Sequence, residues 1–248
     1  MDIKFSIVTP VYNGGKTVAR TIESVLNQSV APSEYFVIDG ASTDETLEVA
    51  RRYTGCFEEK GIRYEIISEK DNGIYDAMNK GIMRCTGDFI GIINSDDWYE
   101  TNAIETMAEL YEKEHFDMAY ADIRMHNGNG TFIKTASNPK MVTSRTWNHP
   151  TQFVSSEIYS KKLYKNETVF DDLDMLLWIH KNNYKISTVN KVLANFTMGG
   201  ASNNEKRLGE VIKRIRTKGE IYKNNGYSAL YVIDAAAIEI AKMILGKT

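Results

Sequence analysis

The chain has 248 residues, 42% of them hydrophobic and 25% charged, a composition that folds around its own core without help from disulfides or a structural metal. Its 30 basic and 33 acidic residues leave a net charge of −3, which excludes the strongly basic surface of a dedicated nucleic-acid binder. The two cysteines, Cys56 and Cys85, stand in no metal-ligand spacing, so a disulfide framework and a zinc site are not expected and a reducing, cytoplasmic compartment is. No run of 18 residues lacks a charge, and the apolar opening over 5–11 is too short for a secretory core, so neither a membrane span nor a leader is expected.

Phe5-Ser6-Ile7-Val8-Thr9 predicts a short strand that Pro10 stops, and Val18, Ile22, Val25 and Leu26 then fall on one face of a helix. Tyr35-Phe36-Val37-Ile38 predicts a second strand, closed by Asp39-Gly40. Ser42 or Thr43 caps a helix carrying Leu47, Val49, Ala50 and Tyr53. A third strand over 63–68 and a helix over 74–84 follow. Phe89-Ile90-Gly91-Ile92-Ile93 is the uncharged run of a strand covered on both faces, and a helix over 102–114 comes next. Strand–helix alternation of this kind implies parallel βαβ units, hence an α/β fold with an open, mostly parallel sheet flanked by helices.

Beyond residue 100 the pattern loosens. A strand is expected over 118–122, and Asn127-Gly128-Asn129-Gly130 marks a hairpin between Ile123-Arg124-Met125 and Thr131-Phe132-Ile133. Leu173, Leu176, Leu177 and Ile179 predict a helix over 172–181. Residues 205–223 hold seven basic and three acidic side chains, with Lys213, Arg214, Arg216 and Lys218 ahead of an amphipathic run over 227–245. That pattern suits an interfacial helix beside anionic lipid, and equally a helix packed on the protein's own surface. The expected division is one domain over 1–204, in halves 1–100 and 101–204, followed by a helical appendage over 205–248.

Open parallel sheets bind ligands beyond the carboxyl ends of their strands, and four polar clusters fall there: 9–13, 39–44, 68–73 and 94–97. They offer carboxylates and an aromatic ring but few cations. Such a site suits sugar and base edges, and holds a phosphate only together with a divalent metal. Asp96 and Asp97 are adjacent acids whose side chains diverge, so one can face a metal while the other meets a ribose hydroxyl; a turn with a helix cap accounts for the pair equally well. Asp39 can accept from a base N–H or close its own turn, Tyr12 can stack on a base or pack against the loop, and Asp71 lies beside the turn of Asn72-Gly73.

His149, ahead of Pro150, is a substrate ligand or a structural ring. Asp171, Asp172 and Asp174 open a helix, where acids are favoured by the macrodipole, yet three in four residues exceed what capping requires and a general base competes as an explanation. His115, His126 and His180 share no spacing and are expected at the surface or against a partner. The glycine patterns of a dinucleotide dehydrogenase, a P-loop and a nucleophile elbow are all missing, and neither cysteine has a reactive setting.

These residues resemble family 2 glycosyltransferases. The likeness runs through Phe5-Ser6-Ile7-Val8-Thr9-Pro10-Val11-Tyr12-Asn13, Thr21-Ile22-Glu23-Ser24-Val25-Leu26-Asn27-Gln28-Ser29 and Ile38-Asp39-Gly40-Ala41-Ser42-Thr43-Asp44-Glu45-Thr46. It continues through Ser68-Glu69-Lys70-Asp71-Asn72-Gly73-Ile74-Tyr75-Asp76-Ala77-Met78-Asn79-Lys80-Gly81 and ends in Thr86-Gly87-Asp88 and Asn94-Ser95-Asp96-Asp97. The subgroup resembled is that of bacterial colanic-acid, capsule and exopolysaccharide transferases. The resemblance implies a GT-A fold with a nucleotide-sugar-binding first half and an acceptor-binding second half. It further implies that Asp39 reads the base, with Tyr12 and the Pro10 backbone lining the pocket, and that Asp71 is a second base or ribose contact. Asp96 and Asp97 become the acidic metal motif for Mn²⁺ or Mg²⁺, Asp97 as direct ligand and Asp96 as ribose contact.

Asp172-Leu173-Asp174 resembles the family's general-base helix, with Leu173 in place of the common aromatic and Asp171 as an extra acid. The choice among Asp171, Asp172 and Asp174 stays open, with Asp172 favoured. The segment 195–202, with Gly199 and Gly200, resembles the loop that closes over donor and acceptor, and His149 is placed on the acceptor side. No histidine follows the glycine pair, so no third metal ligand is expected from there.

The function implied is inverting, metal-dependent transfer of a sugar from a nucleotide-sugar, by family habit a UDP-sugar, to a saccharide or lipid-linked saccharide in bacterial surface-polysaccharide synthesis. The expected setting is the cytoplasm, with peripheral contact to the inner face of the plasma membrane through 205–248 and a homodimer among the assemblies. Two other readings compete. A nucleotidyltransferase that forms nucleotide sugars finds only a faint echo of its loop in Asn13-Gly14-Gly15-Lys16, and a non-catalytic carbohydrate-binding protein predicts loss of acids that are present.

Overall fold

Every residue of the first strand, β1 (Phe5–Val11), is buried, Ser6, Thr9 and Pro10 included, as expected of a strand covered on both faces. The strand continues through Pro10 instead of ending there. The Val8 carbonyl accepts from Ile93 N at 3.0 Å, so the missing N–H of Pro10, two residues on, faces the same neighbour, whose pairing with β1 stops at Val8. A proline is tolerated where no ladder bond is lost.

The computed structural model describes residues 3–143, 145, 147–199 and 208–245. After β1 come α1 (Val18–Leu26), β2 (Glu34–Asp39), α2 (Thr46–Arg51), α3 (Thr54–Glu59), β3 (Arg63–Ser68), α4 (Ile74–Ile82), β4 (Phe89–Ile92), β5 (Trp98–Tyr99) and α5 (Ala103–Glu114). The second half adds β6 (Met118–His126), β7 (Thr131–Lys134), β8 (Phe153–Ser155), α6 (Ser156–Lys161), α7 (Asp171–Lys181), β9 (Ile186–Thr197), α8 (Leu208–Asn224) and α9 (Ala229–Leu245). One sheet contains all the strands in the order β3-β2-β1-β4-β8-β6-β9-β5, with β7 on the edge of β6. Strands β1 to β4, β6 and β9 run one way and β5, β7 and β8 the other, so the expected α/β class with a mostly parallel sheet is the one found.

Alternation along the strands sorts side chains to two cores. Phe5, Ile7, Tyr35, Val37, Phe89 and Ile93 enter the core under α1, α2, α3 and α5. Val8, Phe36, Ile38, Ile90 and Ile92 enter the core under α4, α6 and α7, which Ile221 and Tyr222 of α8 and Ala235 of α9 complete. Within the C-terminal pair, Arg214 and Lys218 turn inward onto the buried carboxylate of Glu239, so two of the four basic residues that the sequence offers to a lipid surface are held inside. No helix among the described residues is long and apolar enough to cross a membrane.

Several elements differ from expectation. The single helix expected after Thr43 is two short ones broken at Arg52-Tyr53. The strand expected over 118–122 and the first arm of the hairpin are one strand, β6, kept in line with β9 by register shifts around Asp122. Strands β5, β8 and β9 carry no clear period in the sequence, and Asn195-Phe196-Thr197, expected in a loop, are the last residues of β9.

Helix α4 lies on β1 through Gly81, where a Cβ would stand 2.4 Å from Val8 Cγ1 and 3.1 Å from Ile38 Cγ1. Alanine is a better helix former than glycine by about 1 kcal/mol, while an extra methyl in a closed core contact costs about 1–3 kcal/mol. The contact should win: Gly81→Ala is expected to lower the urea midpoint by a net loss of about 1 kcal/mol. An unchanged midpoint would mean that α4 can lift from the sheet.

Candidate active site

Register places Val11 opposite Asp39 and Asp39 opposite Ser68, so the chain leaves β1, β2 and β3 at one end of the sheet and three turns meet there. Asp39 is fully buried beneath its own turn. Ser42 N donates to its Oδ1 at 3.3 Å and Oδ2 at 3.1 Å, and Ser68 Oγ donates to Oδ2 at 2.6 Å. The loop after β1 is laced to the loop after β2: Asn13 N donates to Ser42 Oγ at 2.7 Å, Thr43 N to Asn13 Oδ1 at 2.9 Å, and Gly15 N to Asp44 at 3.0 Å. Pro10 is buried at the floor of this corner. Tyr12 is 63% exposed, so its ring stands free of the loop it follows. Asp71 accepts from Gly73 N at 3.0 Å, and its Oδ2 lies where a Cβ on Gly40 would come within 2.3 Å. A side chain at residue 40 would therefore push the Asp71 carboxylate out of its place.

The acid loop follows β4. Asp97 is completely buried; its Oδ1 accepts from Thr197 N at 2.9 Å, while its Oδ2, like Asn94 Oδ1, has no hydrogen-bond partner among the described residues. Asp96 is half-buried. Burial above all, and then the charge of Asp96, hold the Asp97 carboxyl well above the usual carboxylate range, against the opposing pull of the Thr197 N–H, Arg20 and the nearby Asn94 side chain. Burial also raises Asp96. A buried carboxylate beside a second one, with a free oxygen and no adequate counter-charge, is an unstable arrangement unless a cation completes it. The donors are hard oxygens, which fits Mg²⁺ or Mn²⁺ held by one or two carboxylates with the remaining ligands from substrate phosphates and water. No cluster of three potential protein ligands exists among the described residues.

At the start of α7 the three acids have different environments. Asp171, the first residue of the helix, closes the turn that precedes it, accepting from Thr168 N and Thr168 Oγ1 at 2.9 Å and from Glu167 N at 3.1 Å. Asp174 is buried; Lys162 Nζ donates to it at 2.7 Å, Lys165 Nζ lies at 3.2 Å, and Asn225 donates at 2.7 Å. Burial would raise its carboxyl, but the Lys162 and Asn225 hydrogen bonds and the lysine charges outweigh that and hold it below the ordinary value. Asp172 accepts from Leu173 N at 2.7 Å and is pushed up to about 6 by burial, with the Leu173 and Tyr75 hydrogen bonds and the charge of Lys218 opposing and Asp171 adding to the rise.

Tyr75, in the first turn of α4, donates to the Val169 carbonyl at 3.3 Å and accepts from Asp172 N at 3.4 Å. Asn166 donates to the Asn72 carbonyl at 3.1 Å. These bonds bring the start of α7 to the same end of the sheet as the Asp71 turn. His149 is partly buried against Trp147 and Tyr164, its Nε2 3.5 Å from Tyr164 Oη, and burial lowers its imidazole to about 4. It is therefore neutral at neutral pH, and among the described residues Tyr164 and Tyr75 stand between it and Asp172. Gly199 follows β9 with φ 108° and open space around it; Gly200 lies outside the described residues. His126 and His180, expected at the surface or against a partner, have partners inside the chain in Asn195 and Tyr227.

Sequence reasoning passed over Arg20, Thr21, Tyr75 and Thr197. Thr21 was legible in part, since it shares the core-facing side of α1 with Val18 and Ile22 and so had to find a buried partner, which is the Asp97 carbonyl at 2.6 Å. Thr197 was not, because nothing local says that residue 197 returns to residue 97.

A family model described as Glycosyl transferase family 2 matches residues 6–170. Chondroitin synthase of Escherichia coli is 27% identical over 213 residues, which cover 82% of this chain and 30% of that protein. The chain spans about a fifth to a third of the length of the first curated relatives it matches. Among solved structures, Staphylococcus aureus TarS 1–349 in complex with UDP-GlcNAc superposes with a TM-score of 0.73 at 18% identity, over 99% of this chain and 74% of that one. The mannosyltransferase PcManGT of Pyrobaculum calidifontis, in complex with GDP-Man and Mn²⁺, gives 0.64 at 13% identity, over 100% and 77%. At such identities the likeness is one of fold, and the fold is GT-A.

The acids of α7 separate in a stability measurement. Asp174→Ala leaves two lysines facing a buried gap and is expected to cost about 3 kcal/mol. Asp172→Asn should act in the opposite direction. Above about pH 6 the wild-type carboxylate is charged in both folded and unfolded chains and its burial costs stability; below about pH 4 it is protonated in both and costs nothing. Thermal melts at pH 7.5 should therefore show a raised Tm for Asp172→Asn, a gain that disappears by pH 4. A lowered Tm at pH 7.5 would contradict this account of Asp172.

Proposed function

The chain belongs to glycosyl transferase family 2, and from that premise we propose that it is an inverting, metal-dependent transferase moving a sugar from a nucleotide-sugar, a UDP-sugar first, to a hydroxyl of a saccharide or lipid-linked saccharide. The observation that carries the reading is the division of labour at α7: of three neighbouring acids two are occupied by the protein, and one, Asp172, forms no ion pair among the described residues and keeps a pKa of about 6 despite the charge of Lys218. A carboxylate in that range is deprotonated at neutral pH and basic enough to accept a proton, and general-base assistance of this kind contributes about 10²–10⁴ in rate.

In this reading Tyr12 stacks on the base above the Pro10 floor. Asp39 Oδ1, which holds only the longer of its Ser42 bonds, accepts from a base N–H, and Asp71 meets the base or ribose. Asp96 meets the ribose, and Asp97 Oδ2, with Asp96 beside it, holds the divalent ion. That ion, when bound, supplies Lewis-acid charge against the leaving diphosphate. Asp172 takes the proton from the acceptor hydroxyl, whose oxygen bonds to the anomeric carbon as the bond from that carbon to the diphosphate breaks. Because Asp171 and Asp174 are both engaged, no second carboxylate stands ready as a nucleophile on α7, which favours one displacement with inversion over two with retention. His149 and Gly199 flank the acceptor side.

The polysaccharide setting is supported by the likeness to chondroitin synthase, and metal use by the Mn²⁺ in the mannosyltransferase complex. Contact with the inner face of a plasma membrane is supported by the outward side of α9, where Leu230, Ile233 and Ile240 are exposed, and by Leu208 and Ile212 of α8 beside the exposed Lys213 and Arg216. Pelleting with anionic vesicles tests it; absence of salt-sensitive binding would remove the membrane from the proposal.

Calorimetry with UDP, GDP and dTDP should give UDP binding that requires Mn²⁺ and is lost in Asp97→Ala. No nucleotide binding under any condition would defeat the proposal in favour of a non-catalytic protein. With a donor in hand, kcat/KM should fall as pH drops through about 6, because Asp172 is then protonated. Asp172→Asn should lose at least 10²-fold in kcat with UDP affinity intact; equal loss of both would remove Asp172 as the base.

A further inference from the structure

Asp97 is the acid on which metal binding in the proposed reaction rests, yet the hydrogen bond to its carboxylate comes from Thr197, a hundred residues away, at the last position of β9. The pairing of β5 with β9, Trp98 opposite Asn195, brings the two segments together, and beyond its last pair the end of β9 is fixed on the acid loop by side chains. Thr197 Oγ1 donates to the Asp96 carbonyl at 2.8 Å. Arg20 Nη2, from the first turn of α1, donates to the same carbonyl at 2.8 Å and to Thr197 Oγ1 at 3.4 Å. The guanidinium carbon lies 3.5 Å from the centroid of the Trp98 ring, immediately after the acid pair. The next residue of α1, Thr21, donates to the Asp97 carbonyl at 2.6 Å. Three separate segments thus converge on the Asp96 carbonyl, and one cation touches all of them: α1, the acid loop and the end of β9.

We propose that Arg20 is a positioning residue, a latch that holds the end of β9 on the acid loop so that Asp97 Oδ1 is fixed by Thr197 N and Oδ2 is left free for a divalent ion. The consequence for metal binding rests on the proposed function; the latch itself does not. The side chain suits the task. A guanidinium donates in a plane while its face stacks on indole, whereas a lysine ammonium offers a point charge with neither property. The Asp96 carbonyl has the two lone pairs needed to accept from Arg20 and Thr197 together. Arg20 is exposed, so its removal takes nothing from the core and an effect at Thr197 is local.

The test is amide hydrogen exchange on the full chain without ligand. Loss of a hydrogen bond to a charged group is worth about 1.5 kcal/mol, or roughly tenfold in local opening. Arg20→Ala should therefore speed exchange of the Thr197 amide and of residues 94–97 about tenfold, with local openings away from the latch unchanged and the Tm lowered by only a few degrees. Thr197→Val, which keeps the N–H but loses the Oγ1 bond, should act in the same direction, and Arg20→Lys should fall between alanine and wild type. Wild-type exchange at Thr197 in Arg20→Ala overturns the latch.

A second arm follows Mn²⁺ binding in the presence of UDP by electron paramagnetic resonance. Arg20→Ala should raise the half-saturating Mn²⁺ about tenfold and should add nothing to Asp97→Asn, since both act through one carboxylate. A change in UDP affinity with the Mn²⁺ midpoint and Thr197 exchange both unmoved would make Arg20 a direct phosphate contact and overturn its positioning role. If the wild type binds neither UDP nor Mn²⁺, the proposed function fails and the exchange measurement alone decides the latch.

Discussion

Helices cover both faces of β1, and that constraint organises the rest of the molecule. With Ile7 and Val8 facing opposite cores, the chain leaves the sheet only at strand ends, and because β1 to β4 run parallel every departure toward a helix occurs at the same end. Polar turns that a sequence scatters over residues 9–97 are thereby collected in one place. Gly81 and Gly40 are the points where this collection is tightest: one lets α4 lie against β1, the other lets the Asp71 turn lie against the Asp39 turn.

Carboxylates gathered this closely repel one another, and the fold manages them one by one. Asp39 and Asp171 are satisfied by backbone N–H groups and hydroxyls of their own turns. Asp174 is neutralised by two lysines. Asp97 and Asp172 are the two left short of compensation, one with an unpartnered oxygen and the other with a raised pKa. Uncompensated charge costs stability and persists where something outside the fold uses it. The two acids proposed for metal binding and for proton transfer are thus ones whose charge the protein leaves short of compensation.

Much of the first half was legible because its signals are local. The alternation of apolar residues in β1, β2 and β4 and the helical spacing of Val18, Ile22 and Val25 report burial that each segment requires on its own account. The turns at Asp39-Gly40 and Asn72-Gly73 are likewise encoded by residues within a few positions. The second half was harder. Strand β9 holds Asn190, Lys191 and Asn195 among its apolar residues and is buried only in places, so no period of two betrays it. Pro10 reads as a strand stop because the sequence cannot say that the neighbouring strand has already ended.

The acids at 171, 172 and 174 are equivalent as letters: a cluster at a helix N-terminus, any of them a cap, an ion-pair partner or a base. Their roles are separated by Thr168, by Lys162 and Asn225, and by Tyr75, reached over 3, 12, 51 and 97 positions. The same holds at Asp97, whose environment is made by Arg20 and Thr197. Composition, period and motif order were enough to establish the α/β class, the family likeness and the end of the sheet where chemistry gathers, because those depend on short-range patterns. Which carboxylate is tied to its own turn, paired or left free was decided only by the tertiary structure, because burial and counter-charge depend on what the fold brings alongside.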